Sequence, residues 1–176
     1  MTPARLQIAP TGVERFFAED EIIVTKTDVA GRITYANPVF LRMAGYREAE
    51  ALGAPHSLIR HPEMPRAVFK LLWDRIMGGH EIFAYVNNMA SNGDHYWVLA
   101  HVTPSHDQHG SLIGFHSMRR VPDRRAVLAV EPLYAVLLAE EQRHYDRARG
   151  LEASHAMMVD ILDKAGVSYD EWVWSL

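Results

Sequence analysis

Apolar positions recur along this chain with two different periods. Glu21-Ile-Ile-Val-Thr-Lys-Thr27 is a β-branched run that reads as a strand. Asp28-Val-Ala-Gly31 is a turn: Asp starts the reversal and Gly supplies a positive φ. Arg32-Ile-Thr-Tyr-Ala-Asn37 alternates, which predicts the second strand of a hairpin. Pro38 then opens a helix whose apolar residues are Val39, Phe40, Met43 and Ala44, with Gly45 ending it. Arg47 to Leu52 predicts one more helical turn, closed by Gly53. From Arg66 to Met77 the period is helical, since Val68, Phe69, Leu72, Trp73 and Ile76 follow i, i+3, i+4 spacing up to Gly78-Gly79. Three more strands follow, Ile82–Met89, Tyr96–Ser105 and Leu112–Arg120. Asn92-Gly93-Asp94 and Asp107-Gln-His-Gly110 mark the turns between them. Ahead of all this, residues 1–12 read as extended, and Val13 to Ala18 as a short helical cap with Phe16 and Phe17 facing inward.

The pattern changes after Pro122. Asp123-Arg-Arg125 is polar and reads as a linker, and Glu131-Pro132 starts a long helix, with Gly150 as an interruption. Met157, Met158, Ile161, Leu162 and Ala165 resume an apolar stripe that stops at Gly166. The tail, Tyr169, Trp172, Val173, Trp174 and Leu176, is apolar enough to need cover, either from the chain's own sheet or from a partner. The expected architecture is α+β: a five-stranded antiparallel sheet with short helices on one face, plus a C-terminal helical extension. The division is 1–20 as an N-terminal extension or cap, 21–121 as the sheet domain, and 122–176 as a helical segment for dimer or partner contact.

Composition excludes several chemistries. A net charge of −4 and a pI near 6.2 give no general attraction to nucleic acid or anionic lipid. The absence of cysteine removes disulfides, Cys-ligated zinc, Fe–S clusters, a thiol nucleophile and a cysteinyl–flavin adduct. No apolar run approaches the roughly 20 residues that cross a bilayer, and the N-terminus lacks a signal-peptide apolar region. The expectation is a cytoplasmic protein without direct membrane insertion.

The densest polar chemistry lies between Gly53 and Trp73. There His56, Arg60, His61 and Glu63 are interleaved with Pro55, Pro62 and Pro65, each of which fixes one φ and biases its predecessor away from helix. Two imidazoles, a guanidinium and a carboxylate on a held loop are candidate binding groups; the bland alternative is a solvated surface loop. Trp73 sits on an apolar stripe, so core packing competes with ligand contact there. The cluster Arg119, Arg120, Arg124 and Arg125 reads as solvated linker.

The order of elements resembles a PAS domain. Asp28 to Asn37 matches the opening hairpin, Gly45-Tyr46 and Gly53 the helical pieces, and Asn92-Gly-Asp-His-Tyr-Trp97 the turn into the fourth strand. Within that family, three runs are similar to the flavin-binding PAS domain of bacterial aerotaxis receptors. They are His56-Ser-Leu-Ile-Arg-His-Pro-Glu-Met-Pro65 with Leu72-Trp73, Asn92 to Val98, and Ser117-Met-Arg-Arg120. The pattern also resembles soluble single-PAS partners of energy-taxis receptors. The resemblance covers roughly residues 13–122. It implies FAD held non-covalently between sheet and helices, its redox state reporting on respiratory electron flow. Carried over by position, the contacting residues are Asn37, His56, Arg60, His61, Glu63, Trp73 and Asn88, with Tyr96 or Trp97 nearby. Arg60 and His61 can donate to pyrophosphate or to flavin carbonyls, and Asn88 can both donate and accept. The chain departs from the family at Ile82-Phe83, where a Trp is usual, and at Asn87-Asn88-Met89, where Lys-Asn-Arg is usual. Phe83 or Tyr85 is the expected replacement for the aromatic area.

The implied partner is a chemoreceptor or other signalling protein, reached through the C-terminal helices, with a homodimer as the expected assembly. Haem, with His56, His61 or His80 as axial ligand, and a cofactor-free interaction module are the alternatives. An enzyme built on Glu63 and His61 is the competing class, but no nucleophile elbow, phosphate loop or metal motif accompanies it, and the expectation is no catalysis.

Overall fold

The computed structural model describes residues 8–176. Five antiparallel strands form one sheet in the order β2-β1-β5-β4-β3. They are β1 (Ile23–Thr27), β2 (Ile33–Ala36), β3 (Ile82–Met89), β4 (His95–His106) and β5 (Leu112–Arg120). Between β2 and β3 run α1 (Pro38–Ala44), α2 (Glu48–Ala51), a 3-10 turn (His56–Ile59) and α3 (Arg66–Met77). After β5 come α4 (Arg124–Gln142), α5 (Arg147–Ala165) and α6 (Tyr169–Ser175). The expected α+β architecture, with helices on a five-stranded antiparallel sheet and a helical C-terminal segment, is what the chain forms.

Local chemistry explains the boundaries. The Asn37 side chain caps α1 by accepting from Phe40 N at 2.9 Å, with Pro38 in the first turn, and Gly45 ends the helix at φ 70°. The register fixes which side chains share a face. Thr25 pairs with Ser117, Ala100 with Arg119 and Asn88 with Tyr96, so these residues point toward α1–α3. Phe83, Tyr85, Trp97 and His101 point the other way.

The second face is covered by the chain itself. Trp97 stacks on Tyr134 of α4, whose hydroxyl donates to the Tyr85 carbonyl at 2.7 Å. Trp174 of α6 packs on Phe83. Within the apolar tail Tyr169 and Val173 are buried by the chain itself, while Trp174 stays 60 % exposed. Asp123 is not linker: its side chain accepts from Arg125 N and caps α4, which starts a full two turns before Pro132. Gly150 does not interrupt a helix. It is buried early in α5, where a Cβ would meet the Glu141 carbonyl oxygen at 2.6 Å, so it lets α5 close against the end of α4. The real break falls at residues 143–146.

Residues 13–18 are not helical. Glu14 bridges to His95, Arg15 pairs with Asp94 at 2.9 Å, and only Phe17 packs on the core, while Phe16 is 74 % exposed. Backbone pairing with the β4 turn outcompetes a helix of barely one turn. Residues 1–7, part of the stretch expected to be extended, lie outside the described residues.

Candidate functional site

The Gly53–Pro65 segment ties the two edges of the sheet together. At its start, Ile33 N donates to Ala54 O and His56 N to Gly31 O, which satisfies the outer edge of the hairpin. At its end, Arg60 bridges to Asn88 on the free edge of β3, and Asn87 N points at the Met64 sulfur at 3.4 Å. Unpaired edge groups are costly to leave open, and one loop closes both. The loop thereby closes a cavity of about 260 Å³ between sheet and α3.

Most of the cavity wall is apolar: Ile59, Phe69, Leu72, Trp73, Val86 and Phe115 all line it. Trp73 meets Phe115 edge-on at 5.4 Å, and its ring lies against Gly31, where a Cβ would come within 3.0 Å of it. Trp73 is thus cavity wall and core packing at once. Phe83 and Tyr85 do not supply aromatic area to it, because their register turns them to the opposite face; Phe69, Trp73 and Phe115 do instead.

Against this apolar wall stand a few polar groups. Arg119 Nη2 donates to His56 Nε2 at 2.6 Å and to Thr25 Oγ1 at 3.0 Å. An Nε2 that accepts places the imidazole proton on Nδ1. Burial and the adjacent guanidinium hold His56 at a pKa of about 3, so it is neutral. Burial likewise lowers Arg119, to about 10, which still leaves it charged at neutral pH. Arg60 lies at the rim, its guanidinium 3.6 Å over the Phe69 ring, an arrangement suited to a cation on a π face. Among the described residues no carboxylate lines the cavity. Three buried lining atoms have no hydrogen-bond partner: Asn88 Nδ2, Ser117 Oγ and Arg119 Nη1. Orphaned buried polar atoms are rare in native proteins and ask for a reason.

Of the residues singled out in the sequence, the structure brings His56, Arg60, Trp73 and Asn88 together around the cavity. The other four are elsewhere. Asn37 is fully engaged with backbone, accepting from Val24 N and Phe40 N and donating to Ile22 O. His61 is buried, but its Nδ1 accepts from Glu63 N and its ring meets His95 edge-on, away from the cavity. Glu63 is exposed. Tyr96 shares the cavity's face of the sheet but is buried in the core beyond its wall, and burial raises its hydroxyl pKa. His101 and His116 face away from the cavity.

Arg119 was the residue that composition disguised. In a run with Arg120, Arg124 and Arg125 it reads as solvated, yet it is 3 % exposed. Strand alternation carries the signal that finds it, because Phe115, Ser117 and Arg119 fall on one face.

The fold agrees with known proteins. Residues 33–119 match the family profile described as PAS fold. The aerotaxis receptor of Escherichia coli K12 is 38 % identical over 122 residues, which is 69 % of this chain and 24 % of that receptor. The nitrogen fixation regulatory protein of Klebsiella pneumoniae is 29 % identical over 99 residues, 56 % of this chain and 20 % of that protein. The match thus spans about a quarter or less of either relative. Among solved structures, the light state of the blue-light photoreceptor Aureochrome1 LOV superposes with a TM-score of 0.52 at 26 % identity, over 72 % of this chain and 94 % of that one.

Proposed function

Residues 33–119 belong to the PAS fold family, and from that premise we propose that this chain is a sensor that holds FAD non-covalently in the α3–sheet cavity and relays its redox state to a signalling partner. One observation carries the reading: a mostly apolar cavity presents three buried polar atoms, on Asn88, Ser117 and Arg119, that have no protein partner. A flat heteroaromatic ring with a polar edge satisfies both requirements, because its faces suit Trp73, Phe69 and Ile59 while its heteroatoms suit the orphaned groups. At about 260 Å³ the cavity sits near the lower end of the roughly 300–1,000 Å³ typical of ligand pockets. It is sized for a ring system, leaving Arg60 at the rim for the phosphates.

Bound flavin would supply a ring edge whose hydrogen-bonding character changes with redox state. The chain's part is to read that edge. Asn88 can present either its oxygen or its NH₂ to the cavity, and its Nδ2 is uncommitted. With no cysteine in the sequence, a light-driven thiol adduct is unavailable, which favours redox over light as the stimulus. Haem is less well supported. Of His56, His61 and His80 only His56 lines the cavity, and its Nε2 already accepts from Arg119. Among the described residues no carboxylate lines the cavity to pair with His56, which favours a sensor over an enzyme in this reading.

The named relatives include an aerotaxis receptor, which supports energy taxis as the setting and a chemoreceptor or comparable signalling protein as the partner. The absorption spectrum of the purified protein tests the cofactor. Paired blue and near-ultraviolet bands are expected, and Arg60→Ala, Trp73→Ala and Asn88→Ala should each lower the bound flavin while the fold is retained. A colourless protein that takes up no flavin on reconstitution refutes the reading.

A further inference from the structure

The sequence motifs point to the Gly53–Trp73 loop, but the most unusual group in the cavity stands on β5. The Arg119 guanidinium is buried at 3 % exposure with no carboxylate against it. Its hydrogen bonds go to two neutral acceptors, His56 Nε2 and Thr25 Oγ1, and the nearest aromatic face, Phe40, is 6.0 Å away. Nη1 has nothing. Removing a cation from water costs several kcal/mol unless something compensates it. Here the protein fixes the guanidinium through Nη2 but leaves Nη1 without a partner, and Ser117 Oγ and Asn88 Nδ2, on residues that line the same cavity, are without one as well. Packing alone does not account for three unsatisfied groups lining one cavity; they are what an acceptor-rich ligand edge would complete.

Resting on the flavin reading, we propose that Arg119 is a ligand-binding residue that takes the electron-rich, carbonyl-bearing edge of the ring, and that Thr25 and His56 are its positioning residues. Arg60 and Arg119 then divide the ligand between them: Arg119 holds the ring at the depth of the cavity, and Arg60 the phosphates at its rim. His56 suits its part because it is neutral. An imidazolium there would repel Arg119 and withdraw the acceptor that aims it.

Equilibrium binding of two probes separates these roles: FAD, and lumiflavin, which carries the same ring without any phosphate. Hydrogen bonds from charged donors contribute roughly 1.5–3 kcal/mol, or about ten- to hundredfold in affinity. Arg119→Met is therefore expected to weaken lumiflavin and FAD by the same factor, at least about tenfold, whereas Arg60→Met weakens FAD and leaves lumiflavin within about twofold. His56→Ala should weaken both probes, and His56→Gln should recover much of the loss, since an amide oxygen can accept from Arg119. A merely structural His56 would show no such rescue. If Arg119→Met does not fold by circular dichroism, Arg119→Gln, which keeps a donor to Thr25 without a buried charge, replaces it with the same expectation. Unchanged lumiflavin affinity in the folded Arg119 variant overturns the proposal, as does a loss confined to FAD, which would place phosphate there. Wild-type protein that binds neither probe overturns the flavin reading itself, an outcome distinct from either.

Discussion

His56 provides a test of the cavity's electrostatics that needs no ligand. In the unfolded chain its imidazole titrates near 6.5; in the fold, burial and Arg119 hold it at about 3. Between those two values the unfolded state binds one more proton than the folded state, so stability must fall as pH falls through that window. At pH 5 the unfolded imidazole is almost wholly protonated and the folded one is not. The difference is about 1.5 pH units at 1.36 kcal/mol each, or about 2 kcal/mol relative to pH 7. This figure holds for any folded value well below 5. His56→Gln removes the titrating group and keeps an acceptor for Arg119. Urea unfolding at pH 7, 6 and 5 should therefore show the wild type losing about 2 kcal/mol more than His56→Gln between pH 7 and 5. His61, His116 and His155, also lowered by burial, titrate in both proteins and cancel. Glu50 and Asp94, drawn down to about 2 by their hydrogen-bond partners, stay ionised throughout. Equal losses in the two proteins would show that His56 is solvated or readily protonated in the fold, and the picture of a neutral acceptor beside a lone guanidinium would fail.

Two further results follow from how the C-terminal helices pack. Gly150→Ala ought to stabilise a helix by about 1 kcal/mol on propensity, but its Cβ would meet the Glu141 carbonyl at 2.6 Å. A net destabilisation of about 1–3 kcal/mol by urea unfolding is expected, and a gain in stability would refute the close approach. Truncation after Pro122 strips Tyr134 from Trp97 and Trp174 from Phe83. Size-exclusion chromatography should find the truncated domain self-associated or aggregated, and a stable monomer with unchanged melting would contradict the packing.

Much of the fold was legible because each element carries its own punctuation. Asn37-Pro38 and Gly45 bound α1, the turn glycines separate the strands, and the apolar spacing of α3 leaves no other reading. Of the eight residues that the sequence nominated, His56, Arg60, Trp73 and Asn88 line one cavity. The remainder depended on tertiary facts. Whether His61 or Arg60 turns inward is set by how the loop pairs with the β3 edge, which no local pattern encodes. Arg119 needed the β5 register, and composition pointed the other way. The N-terminus of α3 shows the same limit. It lacks a side-chain cap of its own, and the missing acceptor arrives from 74 residues later, when Glu141 takes Ala67 N at 3.0 Å and Arg66 Nε at 2.9 Å.

That clasp bounds what the cavity can communicate. On one side α3 carries Phe69, Leu72, Trp73 and Ile76 into the cavity wall. On the other it is held to α4 by both Glu141 oxygens, and to α6 by the pairing of Arg75 with Asp170. A ligand-driven shift of α3 must either carry the C-terminal helices with it or break the Glu141 bonds. Glu141 is buried, and charged hydrogen bonds contribute roughly 1.5–3 kcal/mol each. A ligand moves such an equilibrium only by the difference between its affinities for the two arrangements. Two redox states whose binding differs by less than about 3 kcal/mol, some hundredfold, would leave the clasp closed however tightly both bind. On the proposed flavin reading, signalling that opens this clasp therefore requires that the groups reading the ring discriminate strongly between its states. Buried donors without protein partners, such as Asn88 Nδ2 and Arg119 Nη1, are placed to do so, because a hydrogen bond in a low-dielectric cavity is stronger than the same bond in water.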